Sequence, residues 1–158
     1  MPKKSFNEKL NDSKDMPKII DLSDQPEAVA RYGGSNMLIA APLQYNALMA
    51  NVPEGKIITS DRLRTFLARS ENADFTCPLT AGIFISLCAQ ASVERDDNKI
   101  PYWRTLKANG ELNEKFPDGI DGQKLRLEAE GHEVVQKGKR WYVKNFADKL
   151  WTIEKHSD

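Results

Sequence analysis

The sequence predicts a mainly α chain with small β hairpins, arranged as a winged helix-turn-helix behind an N-terminal extension. Three observations carry this expectation. A run from Ser60 places Leu63, Phe66 and Leu67 on one helical face, and a second run opened by Pro78 continues to about Val93. The polar loop Ser70 to Thr76 between them is short enough for a helix-turn-helix. Turn residues then recur at Asn109-Gly110, between Phe116 and Gly122, and at Lys137-Gly138-Lys139, as hairpins and a wing require.

In chain order, Pro2 to Met16 is polar, with Phe6 and Leu10 four apart on one face, and reads as a short docked helix or a frayed tail. Pro17 to Asp24 reads as extended, Gly33-Gly34 as a break, and Met37 to Ala41 as a buried strand or a segment under the core. Residues 1–41 are therefore expected to form an extension that covers the core and carries no chemistry. From Pro42 the pattern becomes helical through Leu43, Ala47 and Leu48, and Pro53 with Gly55 ends it. Thr59 or Ser60 caps the next helix, with Asp61 at its positive end.

On the helix from Pro78, Leu79, Ile83, Leu87 and Cys88 share a face that Phe84 and Ile85 widen. Thr80, Ala81, Gly82, Ser86 and Gln90 are left to face outward. Gln123 to Glu130 reads as a short helix closed by Gly131, and His132 to Val143 as two strands. Phe146, Leu150 and Trp151 suggest a closing helical turn, which sets the working domain at residues 42–151 and a tail at 152–158.

Composition fits one globular domain: 158 residues, 40% apolar, with 23 basic and 23 acidic side chains. No apolar run approaches membrane-spanning length, and the lysine-containing start lacks an apolar stretch behind it, so a cytoplasmic monomer is expected. Cys77 and Cys88 form neither a disulfide framework nor a zinc motif, and His132 has only His156 for company. No metal or cofactor is expected. Charge alone does not suggest nucleic acid, although residues 99–149 hold eleven basic against eight acidic side chains.

The stretch Ile100 to Gly131 concentrates fixed backbone geometry, with Pro101 leading into Tyr102, Trp103 and Arg104. Ile100-Pro101-Tyr102-Trp103-Arg104 resembles the Ile-Pro-Cys-His-Arg motif of the O6-alkylguanine DNA methyltransferases, and Leu127 to His132 resembles their downstream Glu-Gly segment. Tyr102 stands in place of the acceptor cysteine and Trp103 in place of the histidine. A phenol with a pKa near 10 is a poor soft nucleophile. The match is therefore to the alkyltransferase-like branch, which keeps the DNA-binding domain and recognises lesions without repairing them.

That resemblance, spanning Pro42 to Val135, implies site residues. Tyr102 and Trp103 would line a base pocket, with Asn98 upstream and Glu130 at the family's glutamate position. Arg104 would hold the pocket loop or a phosphate. Ser60 falls where the family has a phosphate-contacting tyrosine, and Gly82 falls near its arginine finger. The helix with Thr80, Ala81 and Gly82 would lie in the minor groove, where small residues allow close approach. Outside that resemblance, Lys137, Lys139 and Arg140 cluster at the hairpin tip, which reads either as a solvated turn or as a wing touching phosphate, with Lys137 as the DNA-binding candidate.

The expected function is non-catalytic binding of double-stranded DNA, including alkylated DNA, with repair proteins as further partners. Two alternatives stay open: an alkyltransferase that uses Cys77 or Cys88 as acceptor, and a protein-interaction module that has lost DNA binding.

Overall fold

The computed structural model describes residues 4–153; residues 1–3 and 154–158, including His156 and most of the expected tail, lie outside the described residues. Six α-helices and three small sheets are formed among them. The extension is more structured than its sequence suggests. Helix α1 (Phe6–Asn11) starts at a capping box in which Ser5 Oγ accepts from the Glu8 amide at 3.1 Å and Glu8 Oε1 accepts from the Ser5 amide at 3.2 Å. Strand β1 (Lys18–Asp21), helix α2 (Pro26–Tyr32) and strand β2 (Asn36–Ile39) follow.

Helix α3 (Pro42–Ala50) leads to strand β3 (Ile58–Thr59) and helix α4 (Ser60–Ser70). Strand β4 (Phe75–Thr76) then enters the 17-residue helix α5 (Pro78–Glu94). β1 and β2 are antiparallel, and β4 adds to β2 in parallel, so the loop between α4 and α5 is tied into the extension's sheet. The carboxylate of Glu94, at the end of α5, accepts from the Phe6 and Asn7 amides at 3.1 and 3.0 Å. It thus caps the start of α1 from the far side of the chain. Leu10, Leu38 and Ala40 share one core with Tyr45, Met49, Leu63, Ile85 and Tyr102.

Helix α5 does not bury the face that hydrophobicity alone selects. Ala81, Ile85, Cys88, Ala89, Ala91 and Ser92 point inward, whereas Leu79 and Ile83 are 72% and 56% exposed. Small residues let α5 approach α1 and α3 closely, so packing distance overrides side-chain hydrophobicity. Ala81, expected on the outer face, is 1% exposed and belongs to the core.

Beyond α5, a 3-10 turn (Tyr102–Arg104) leads into strand β5 (Thr105–Leu106), which pairs in parallel with β3. A second 3-10 turn (Ala108–Gly110) follows, where Gly110 has φ +81° and any Cβ would lie 2.6 Å from the Phe146 ring. Helix α6 (Gly119–Ala129) begins four residues earlier than the sequence suggests. Strands β6 (Val134–Lys137) and β7 (Arg140–Val143) form an antiparallel hairpin, closed where Gly138 turns at φ +64°. A 3-10 turn (Phe146–Lys149) brings the chain back to Ile57, whose amide donates to Lys149 O at 3.0 Å. Leu106, Leu112, Leu127, Val134 and Val143 make a second core around Ile57, and Trp103 packs against both cores.

Candidate nucleic-acid interface

The motif Ile100 to Arg104 is fixed from both sides. Ser92 Oγ, buried on α5, accepts from the Ile100 amide at 2.9 Å. Gln123, fully buried on α6, donates through Nε2 to the carbonyls of Trp103 and Thr105 at 3.0 and 3.3 Å. Its Oε1 accepts from the Asn113 amide at 2.7 Å. One amide side chain thus satisfies three backbone groups around the turn, as buried polar atoms require. Sequence reasoning missed Gln123, though its position four residues before Leu127 places it on the inward face.

Tyr102 is 2% exposed. Its ring meets Trp103 and Phe116 edge-on, both with centroids at 5.4 Å. The Arg126 guanidinium lies 5.9 Å from the Tyr102 ring and 5.7 Å from that of Trp103. The expected base pocket is therefore closed, with aromatic edges and an arginine covering the phenol. Within it, Tyr102 Oη and Trp103 Nε1 are buried without a hydrogen-bond partner. Burial raises the phenol's pKa above its usual value, which keeps it a protonated donor.

Arg104 and Glu130 are brought together by the turn and the end of α6. Arg104 Nε donates to Glu130 Oε1 at 2.9 Å, and Nη1 donates to Val52 O at 2.7 Å. The guanidinium of Arg104 is thus committed within the protein rather than to phosphate. Glu130 serves that arginine and not Trp103. His132 is buried, neither ring nitrogen has a partner, and desolvation lowers its pKa. Asn98, in the loop after α5, is exposed at φ +52°, and its carbonyl accepts from Arg95 Nη2 at 2.7 Å.

The outer residues also find places. Ser60 is half-buried at the start of α4, and Thr80 Oγ1 donates to Cys77 O at 3.4 Å. Gly82 is exposed, with no atom within 4 Å of where a Cβ would stand. Lys137, Lys139 and Arg140 are exposed on the hairpin, with Lys137 Nζ 5.7 Å from the Tyr142 ring. Cys77 is half-buried at the cap of α5. Cys88 is fully buried, and desolvation pushes its thiol pKa up to about 12, so it holds no thiolate at neutral pH. Among the described residues no three His, Cys, Asp or Glu side chains converge to hold a metal ion, and no helix is long and apolar enough to cross a membrane.

No protein-family model matches the chain, and no curated protein matches it. Solved structures do. A crystal structure of S. pombe Atl1 in complex with damaged DNA containing O6-carboxymethylguanine matches with a TM-score of 0.50 at 23% identity. The match covers 71% of this chain and 94% of that one. The fold resembles that of S. pombe Atl1. S. pombe ATL in complex with DNA also matches, with a TM-score of 0.49 at 21% identity over the same shares. The mixed helical architecture with small sheets fits that alkyltransferase-like fold, and the resemblance carried by Ile100 to Arg104 and Leu127 to His132 agrees with it.

Proposed function

We propose that this protein binds duplex DNA without catalysis and recognises O6-alkylguanine for a repair pathway. One observation carries the reading: an alkyltransferase-like fold presents a buried, protonated phenol, Tyr102, at the motif position where the acceptor sulfur would stand. Nothing at that position takes an alkyl group, while an aromatic wall with two unsatisfied donors suits a purine. When Arg126 swings off the rings, Tyr102 Oη and Trp103 Nε1 donate to the extruded base. The neighbour's own complex contains O6-carboxymethylguanine, which supports an alkylated guanine as the ligand class.

In this reading α4 and α5 are the helix-turn-helix, the β6–β7 hairpin is the wing, and residues 42–151 are the DNA-binding domain covered by residues 1–41. Ser60, Thr80 and Gly82 face the sugar-phosphate backbone, and Lys137 neutralises phosphate from the wing. The protein works in the cytoplasm as a monomer that hands the marked site to repair proteins. Buried Cys88 argues against the alkyltransferase alternative, which leaves half-buried Cys77 as its acceptor.

Titration of fluorescent duplexes, with and without one O6-methylguanine, at two salt concentrations tests the reading. Binding that tightens at the lesion and weakens with salt is expected. Equal affinity for both duplexes, or none at low salt, overturns it.

A further inference from the structure

We infer that the N-terminal extension builds, against the middle turns of α5, a docking groove for an acidic amphipathic segment of a partner protein. The inference stands apart from the DNA-binding reading. Helix α1 and the loop after it form one wall and α5 forms the other, with a space of about 540 Å³ between them. Leu10 anchors α1 in the core, whereas Phe6, one turn earlier, lies at the groove and stays 40% exposed. Met16, Phe84 and Leu87 continue the apolar floor. Ser86 lies among them, and its buried hydroxyl has no hydrogen-bond partner. Apolar side chains open to water beside an unsatisfied hydroxyl mark a surface that a partner covers.

The rim is cationic. Lys4, Lys9 and Lys14 stand on it with a single acid, Asp12, and Lys4 holds that acid at 2.9 Å. The neighbouring acids are committed as well. Glu8 caps its own helix through the Ser5 amide, Asp15 pairs with Lys18 at 3.0 Å, and Glu94 accepts from the Phe6 and Asn7 amides. Lys9 and Lys14 therefore line the groove with no ion pair among the described residues. Lys9 Nζ lies 5.7 Å from the centre of the Phe6 ring, so a carboxylate that reaches it arrives beside the apolar floor. Apolar surface and uncommitted cations side by side specify a segment with large apolar side chains flanked by carboxylates. A duplex answers only half of this, because its phosphates neutralise the lysines but its sugar-phosphate surface leaves the floor uncovered. A symmetric pair of copies would set two like-charged rims against each other. The α1 wall lies ahead of Pro42, where the resemblance to the alkyltransferases begins, so the groove gives the extension a task of its own.

The test uses two fluorescein-labelled synthetic helical peptides of about 15 residues with one leucine and phenylalanine face between them. One carries glutamates beside that face and the other carries lysines in their place. Anisotropy titrations compare the wild type with the Lys9→Glu, Lys14→Glu double variant, whose altered side chains are exposed. The wild type should bind the acidic peptide at least about tenfold more tightly than the basic one. The double variant should lose about tenfold for the acidic peptide and gain affinity for the basic one, with duplex binding unmoved. Equal binding of the two peptides, no binding of either, or loss of the acidic one without gain of the basic one overturns the groove. So does displacement of the peptide by unlabelled duplex together with an equal loss of duplex affinity in the variant, since the lysines then belong to DNA. A wild type that binds the acidic peptide and no duplex removes the DNA-binding reading and leaves the groove standing.

Discussion

Arg104 and Glu130 form a forked ion pair at the base of the aromatic turn. Nε donates to Oε1 and Oε2 at 2.9 and 3.1 Å, and Nη2 donates to Oε2 at 2.5 Å. The two side chains are only 14% and 8% exposed. This pair joins the start of β5 to the end of α6, so the motif's arginine holds the pocket wall in register.

Removing one partner strands the other. Glu130→Ala should destabilise the fold by about 3–5 kcal/mol, whereas the paired change Arg104→Met with Glu130→Leu should cost clearly less. Urea unfolding of both variants checks this. Equal losses would show that the pair's geometry, and not the stranded charge, governs stability.

Gln123→Leu should cost about 2–4 kcal/mol, because one amide amid two carbonyls and an amide N–H is replaced by a group that satisfies none of them. Thermal unfolding measures the loss. A change below about 0.5 kcal/mol would contradict its role as the turn's internal brace.

Tyr102→Phe separates folding from recognition. The hydroxyl is buried without a partner, so its removal should leave stability within about 1 kcal/mol of the wild type or raise it. Affinity for the lesion duplex should still fall about tenfold, since the donor proposed to meet the base is gone. Parallel unfolding and anisotropy titrations read the two effects.

His132 makes stability depend on pH. Its folded pKa lies below the ordinary 6.5 because burial disfavours the imidazolium. Between the folded value and 6.5 the unfolded chain therefore binds more protons, and stability rises with pH. The full contribution is present above about 6.5 and is lost as pH falls through that window toward the folded pKa. Urea midpoints at pH 7.5 and 5.5 should differ more in the wild type than in His132→Leu.

The hairpin makes a salt prediction. Substituting Lys137, Lys139 and Arg140 with alanine should weaken binding to lesion and plain duplex alike. It should also lower the slope of log K against log salt by about 0.9 for each phosphate that is no longer neutralised. An unchanged slope would contradict the proposed contact between the hairpin and phosphate.

The sequence made the two long helices, the hairpin and the aromatic turn legible because each is written in local signals: Pro78 at a helix start, Gly138 in a two-residue turn, Pro101 before two aromatics. Elements that depend on distant partners were not legible. β4 spans two residues and exists through its pairing with β2, and α2 buries no residue fully. The facing of α5 went unread for a related reason. Periodicity marks where leucine and isoleucine stand, but how near α1 and α3 come decides whether those side chains or the alanines turn inward. Within the site, Tyr102 and Trp103 were found from the motif. The bonds that use up Arg104 and Glu130 required the end of α6 to be seen beside the turn.

Native mass spectrometry of the protein mixed with a duplex carrying one O6-methylguanine tests the central claim most directly. A one-to-one complex should form, and the protein released from it by denaturation should have its original mass. Released protein heavier by one methyl group would show alkyl transfer and contradict the account, as would the absence of any complex.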